Sequence, residues 1–293
     1  MVQLTMLNSM ADPDFAAALD RHLKWGLHLL DLKDCIFGKG IGELTVDEAE
    51  RAAEMIRARG RGLEVYCFST GLMGEHLEKG EAHFRHQHLE RLEPVLASAR
   101  ILRPKLIRLL ACQTTQRRHL GNDVGAAGGA AEYIQKSCRW AFDVYREMID
   151  RIHAAGCTTV IENEIGDSIF STPREVCDFF TQLGRADRVR FTWDIANLWQ
   201  MGTFPSIEVY EQLKPWIGFV HVKGGMDAPG RPGIAWASAL EDASWPVLPI
   251  LRRVVADGVS PVLCLNSSHG VAKGGYDYSN VAKRDLDFLR QNL

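Results

Sequence analysis

Short apolar runs rich in β-branched residues recur along the chain, separated by longer stretches in which apolar positions return every three or four residues. The runs 2–7, 27–32 (LHLLDL), 63–68 (LEVYCF), 105–110 (KLIRLL), 158–163 (TTVIEN), 189–194 (VRFTWD), 217–222 (IGFVHV) and 261–266 (PVLCLN) predict eight strands. Each has the length and near-continuous apolar character of a strand covered on both faces. The intervening stretches carry a helical period. The longest predicted helix spans 128–155 and lines up Ile134, Cys138, Ala141, Val144, Tyr145, Met148 and Ile152 on one side. Gly26, Gly60, Gly156, Gly184 and Gly258 each stand between a helical stretch and the next strand, where a left-handed cap is usual. Thr45 with Glu48, and Thr172-Pro173 with Glu175, read as helix starts, and Asp12-Pro13 is expected to open the first helix.

Eight such units in 293 residues average about 37 residues each, the size of a complete α/β barrel. The expected architecture is a single (β/α)8 TIM barrel over residues 1–293, with eight parallel strands inside an outer ring of helices. A doubly wound open sheet would carry a glycine-rich turn after its first strand. Gly125, Gly128 and Gly129 instead follow the fourth strand, at the wrong spacing for a dinucleotide fingerprint.

In this architecture the chemistry lies at the C-terminal ends of the strands. Polar residues that end otherwise apolar strands are therefore the first candidates. Glu162 ends the fifth strand, Asp194 the sixth, His221 the seventh and Asn266 the eighth. Two carboxylates and an imidazole converging in an enclosed site require a positive charge between them. One divalent metal ion supplies it. The donor set suits manganese first, with magnesium, cobalt or zinc as alternatives.

The runs VIENEIGD, FTWDIAN and FVHVKGG, between 158 and 270, resemble the strand-five, strand-six and strand-seven motifs of the xylose-isomerase-like barrels. That superfamily includes sugar isomerases and epimerases, inosose dehydratases and apurinic endonucleases. The resemblance implies metal ligation by Glu162, Asp194 and His221, followed by Lys223. It also exposes a departure. Family members usually end the eighth strand with a glutamate that is both ligand and catalytic base, and here Asn266 stands in its place. An amide oxygen can ligate a hard cation but cannot accept a proton near neutrality. Endonuclease members add a histidine three residues after the strand-six aspartate, where this chain has Asn197.

These residues imply a carbonyl polarised by the metal and a proton taken from the neighbouring carbon by Glu162, with His269 or Lys223 as a second acid–base group. The expected activity is a sugar, keto-sugar or inosose isomerase or epimerase. A lyase that dehydrates or eliminates from 3-keto-glycosides is the alternative, since Asn266 removes the usual second base. A non-catalytic sugar-binding or partner subunit is a further one. Substrate contacts are expected from Arg108, Asn197, Lys223, Arg231 and Trp193, with Trp199, Trp236 and Phe68 as a stacking wall. His28 and Asp31 are candidates for hydroxyl binding, although an internal ion pair suits Asp31 better. The segment 223–243 is long enough for a lid. His83, His86 and His88 read as a solvated helix surface.

Composition narrows the partners. With a net charge of −3 and no run of Lys or Arg, the chain offers nucleic acid or a membrane surface no electrostatic footprint. The expected partner is a small sugar-like molecule, with a homo-oligomer or second subunit left open; the face around Trp140-Ala141-Phe142 is the candidate contact. Seven cysteines with no CxxC spacing suit a reducing compartment, and no apolar run is long enough to span a bilayer. A cytoplasmic location is expected.

Overall fold

The computed structural model describes residues 2–60, 62–120, 129–228, 230–267 and 270–293, with the backbone but not the side chains of Ala228, Arg231 and Pro232. Eight parallel strands close into a barrel: β1 (Gln3–Leu7), β2 (Leu29–Leu32), β3 (Glu64–Ser69), β4 (Leu106–Leu110), β5 (Thr158–Glu162), β6 (Val189–Asp194), β7 (Ile217–Val222) and β10 (Val262–Leu265). They neighbour one another in chain order, and β10 closes against β1. The extra strands β8 (Met226–Ala228) and β9 (Arg231–Trp236) form an antiparallel hairpin after β7. The predicted strands agree with the observed ones to within two residues at each end.

Two apolar bodies hold this together. The larger lies between the sheet and the surrounding helices and contains Phe142, Tyr145, Phe179, Phe180, Phe191 and Trp193. The smaller fills the barrel itself, where Leu29, Tyr66, Leu106, Val160, Phe219, Val262 and Cys264 meet. Strand alternation decides the division: Phe191 and Trp193 face the helices while Thr192 and Asp194 face inward. The plug of side chains inside the barrel forms the floor of the polar site above it.

Helix punctuation follows the sequence reading at most positions. Thr45 accepts from Glu48 N–H, and Glu48 reaches back to Thr45 N–H, completing a capping box. Gly26, Gly60, Gly156, Gly184 and Gly258 all have positive φ, between 63° and 83°. Two expectations need correction. The long helix predicted at 128–155 is two helices, Ala130–Ser137 and Trp140–Ala154, broken at Cys138 where φ is −140°. A single helical turn, Asn8–Ala11, follows β1 directly, and the longer helix Phe15–Lys24 starts after Asp14, which rather than Asp12 supplies the cap to Ala17 N–H. The 223–243 segment holds the β8–β9 hairpin, which packs on the helix Ile195–Gln200. Gly224 makes that return possible: a Cβ there would lie 2.1 Å from the carbonyl oxygen of Ser238.

Candidate metal centre and active site

Asp194 shows how the chain builds the site locally. Its Oδ1 caps the following helix by accepting from Asn197 N–H at 2.9 Å, which fixes the carboxylate and turns Oδ2 toward the barrel axis. Asn163, just past β5, grips the Asp194 backbone from both sides, donating to its carbonyl and accepting from its N–H, each at 2.9 Å. Asn197 closes the circuit by donating to the Asn163 carbonyl at 3.0 Å and accepting from Lys223 Nζ at 2.8 Å. The ends of β5, β6 and β7 are thereby locked together around one point.

Glu162, Asp194 and His221 converge there. All three are buried, and one ligand atom from each lies within 4.8 Å of the others. His221 Nδ1 stands 2.7 Å from Glu162 Oε1, yet the two are not aligned as a hydrogen bond. Close approach without hydrogen-bond alignment is the relation of two ligands around a shared cation. Burial pushes the Glu162 carboxyl up, but His221 and Arg108 beside it hold it down to about 2. Burial opposes protonation of His221, and the Glu162 charge nonetheless raises its proton affinity well above the ordinary imidazole value. The cluster thus asks for positive charge, as a cation site does.

Asn266 fits the same demand. Its Nδ2 donates to Asp194 Oδ2 at 3.1 Å, leaving Oδ1 buried without a partner. Rotating the amide by half a turn would set Oδ1 beside Asp194, the arrangement a divalent cation calls for. Lys223 Nζ also contacts Asp194 Oδ2, at 3.0 Å. The residues present therefore fit one divalent metal, with Glu162, Asp194 and His221 as charged or imidazole ligands and Asn266 as a neutral fourth.

Arg108 links this cluster to open space. Its guanidinium pairs with Glu162 Oε2 at 2.5 Å and donates to the Thr70 carbonyl at 2.9 Å, while Thr70 Oγ1 returns a bond to the Arg108 carbonyl. A cleft of about 500 Å3 opens on its far side, over β2 to β4, lined by Lys33, Glu75, His88, Arg91, Arg108 and Glu164 among others. That volume suits a small polar ligand. Burial, and then the neighbouring Glu162, pushes the Glu164 carboxyl up.

Other sequence candidates land elsewhere. Trp193 is buried in the helix layer against Tyr210, with ring centroids 6.3 Å apart, so it does not reach the site. Phe68 is likewise core. Trp199 packs on Phe204, and Trp236 lies between Tyr276 and Lys273. His28 is exposed at the opposite end of the barrel, near Gly62. Arg231 lies on β9, and His269 lies outside the described residues. The Trp140-Ala141-Phe142 face is not free: Ala141 and Phe142 are buried and Trp140 packs on Phe84. The histidine group also differs from expectation. His86 is exposed, but His88 is buried, accepts from Met73 N–H at 3.2 Å, and joins His83 against Glu75. A short π-helical turn, Arg85–Leu89, rotates His88 inward.

The sequence reading passed over Asn163 and Glu164 and gave Asp31 little weight. Asp31 is a charged residue inside the apolar run LLDL, so the test that found Glu162 and Asp194 applies to it as well.

The molecule is a closed parallel barrel with a buried carboxylate–imidazole cluster, a candidate metal site, at its C-terminal mouth. The sequence profile of the xylose isomerase-like TIM barrel family matches residues 13–247, and the chain belongs to that family. No curated protein matches the chain. Among solved structures it is similar to a xylose isomerase-like TIM barrel protein from Mycobacterium smegmatis in complex with magnesium, at 17% identity and a TM-score of 0.64 over 94% of this chain and 87% of that one. It is similar to the probable 3-DHS dehydratase of Bacillus anthracis, at 14% identity and a TM-score of 0.70 over 99% of both chains. It is also similar to D-psicose 3-epimerase from Clostridium cellulolyticum H10 with D-tagatose, at 14% identity and a TM-score of 0.67 over 100% of this chain and 99% of that one.

Proposed function

We propose that the protein is a divalent-metal-dependent isomerase or epimerase of a sugar, keto-sugar or inosose. The observation that carries this is the convergence of buried Glu162, Asp194 and His221 within 4.8 Å beside a cleft. Manganese is the first choice for a set of hard oxygens and one imidazole. When bound, the cation would polarise a substrate carbonyl and acidify the adjacent C–H. Glu162 takes that proton, and Lys223, buried and held by Asn197, returns one. Arg108 and Glu164 face the cleft and orient hydroxyls. The four substrate-facing groups, with Asn266 beside the cation, make the working site. A cytoplasmic location accords with seven unpaired cysteines.

The second reading is a lyase. It is favoured by Asn266, which leaves the strand-eight side of the site without the carboxylate that epimerisation needs, and by the fold shared with a probable dehydratase. One experiment separates the readings. The protein is loaded with Mn2+ and incubated in D2O with a panel of ketohexoses, inososes and 3-keto-glycosides. Deuterium in a rearranged sugar supports the isomerase or epimerase, and an unsaturated product supports the lyase. Glu162→Gln should abolish exchange by at least about a thousandfold while the barrel stays folded. Full exchange by that variant would remove Glu162 from the reaction.

A further inference from the structure

His221 is flanked by carboxylates on both ring nitrogens. Nδ1 faces Glu162 at 2.7 Å, on the metal side. Nε2 faces Asp31 Oδ2 at 3.6 Å, on the opposite side, inside the barrel floor. Asp31 comes from β2, across the barrel from β7, and is fully buried. Cys264, on the strand beside His221, donates its thiol to the same Oδ2 at 3.5 Å. Asp31 Oδ1 has no partner.

We infer that Asp31 is a positioning residue for His221, fixing the imidazole with its hydrogen on Nε2 so that Nδ1 presents a lone pair to the cation. This rests on the metal reading of Glu162, Asp194 and His221. A buried carboxylate held by one thiol, with an oxygen left over, is poorly satisfied. A hydrogen on Nε2 is the charge complement that the geometry places in front of it. At 3.6 Å the contact is longer than a formed hydrogen bond, but in a water-free interior it still discriminates between tautomers. Histidines that bind metals through one nitrogen regularly direct the other N–H at a carboxylate, which orients the ring and raises its basicity as a ligand. Cys264 keeps Asp31 aimed, its thiol donating to the Oδ2 that faces His221.

The residue is absent from the cleft lining, and its carboxylate groups with His221 and Cys264. Its effect on the reaction therefore passes through His221. An amide in place of the carboxylate can donate as well as accept, so Asp31→Asn permits the wrong tautomer, with the hydrogen on Nδ1, while keeping the shape of the side chain.

The test is Mn2+ affinity by titration calorimetry, together with the apo melting midpoint in chelator, for the parent, Asp31→Asn and Asp31→Leu. Positioning predicts that both variants bind Mn2+ about 10- to 100-fold more weakly. Asp31→Asn should meanwhile keep the apo midpoint within about 2 °C of the parent, since it removes a poorly satisfied buried charge. An affinity within about twofold of the parent in Asp31→Asn overturns the inference and leaves the metal site standing. A weaker affinity accompanied by a matching collapse of the apo midpoint assigns Asp31 a merely structural role and overturns it as well. A parent that binds no Mn2+, Mg2+, Co2+ or Zn2+ overturns the metal reading itself, and this inference with it.

Discussion

Arg108→Met isolates one buried ion pair of the site, that between Arg108 and Glu162. The substitution keeps most of the side-chain volume and removes the guanidinium that pairs with Glu162 at 2.5 Å. Both partners are almost fully buried, with side-chain exposures of 5% and 2%. Breaking a buried pair by deleting one member costs roughly 3–5 kcal/mol, because the remaining charge is left uncompensated. His221 still contacts Glu162, which places the loss toward the lower end. The Thr70 carbonyl loses its donor as well, which costs about 1 kcal/mol. The expected destabilisation is then about 4 kcal/mol. For a chain of 293 residues, an unfolding entropy near 2.1 cal/mol/K per residue converts this to a fall in Tm of about 6 °C. The assay is urea and thermal unfolding of parent and variant in chelator, repeated with saturating Mn2+. The cation should restore a larger share of stability to the variant than to the parent, since it substitutes for the charge that Arg108 supplied. A variant within about 1 kcal/mol of the parent in chelator would show that Glu162 does not depend on Arg108, and would refute the account of the site as a cluster in need of positive charge.

Acid stability should report on His88. Burial holds its imidazole down to about 4, against an ordinary value of 6.5. The unfolded chain therefore takes up a proton that the folded one refuses, so the stabilisation is present above pH 6.5 and is lost as pH falls toward 4. The full span is worth about 3 kcal/mol at 1.36 kcal/mol per unit. Urea unfolding of the parent between pH 7 and pH 4.5 should show a loss that His88→Asn lacks by about 2 kcal/mol, and parallel curves would contradict the burial account. Asn266→Glu should tighten Mn2+ binding by about tenfold or more, since ligand charge count raises affinity for hard cations. The same change should lower apo stability by adding a carboxylate 3.1 Å from Asp194 Oδ2. No gain in affinity would put residue 266 outside the ligand set.

Much of this was legible along the chain because a closed parallel barrel is a repeated local instruction. Each strand must be apolar on both faces, each helix on one, and five of the returns to a strand carry a glycine cap. Those demands fixed the fold class and the limits of all eight barrel strands to within two residues. The same logic marked Glu162, Asp194, His221 and Asn266, since a polar residue at the end of a doubly buried strand has no reason to be there unless the barrel mouth uses it. Arg108 stood out in the same way.

Tertiary structure decided what depends on which strands face one another across the barrel. Asp31 and His221 are 190 positions apart in the chain and meet only because β2 and β7 curve onto one axis. The register of β6 against β7, which shifts between Phe191 and Thr192, sets Asp194 opposite His221. His88 was misread because helical spacing places its neighbours at the surface, and a single π turn rotates it into the cleft wall. Sequence periodicity reports which residues are buried; it carries no information about which buried residues meet. That pairing is set by barrel closure and by the shear between strands, and in this protein it pairs the candidate ligand His221 with a carboxylate on each side.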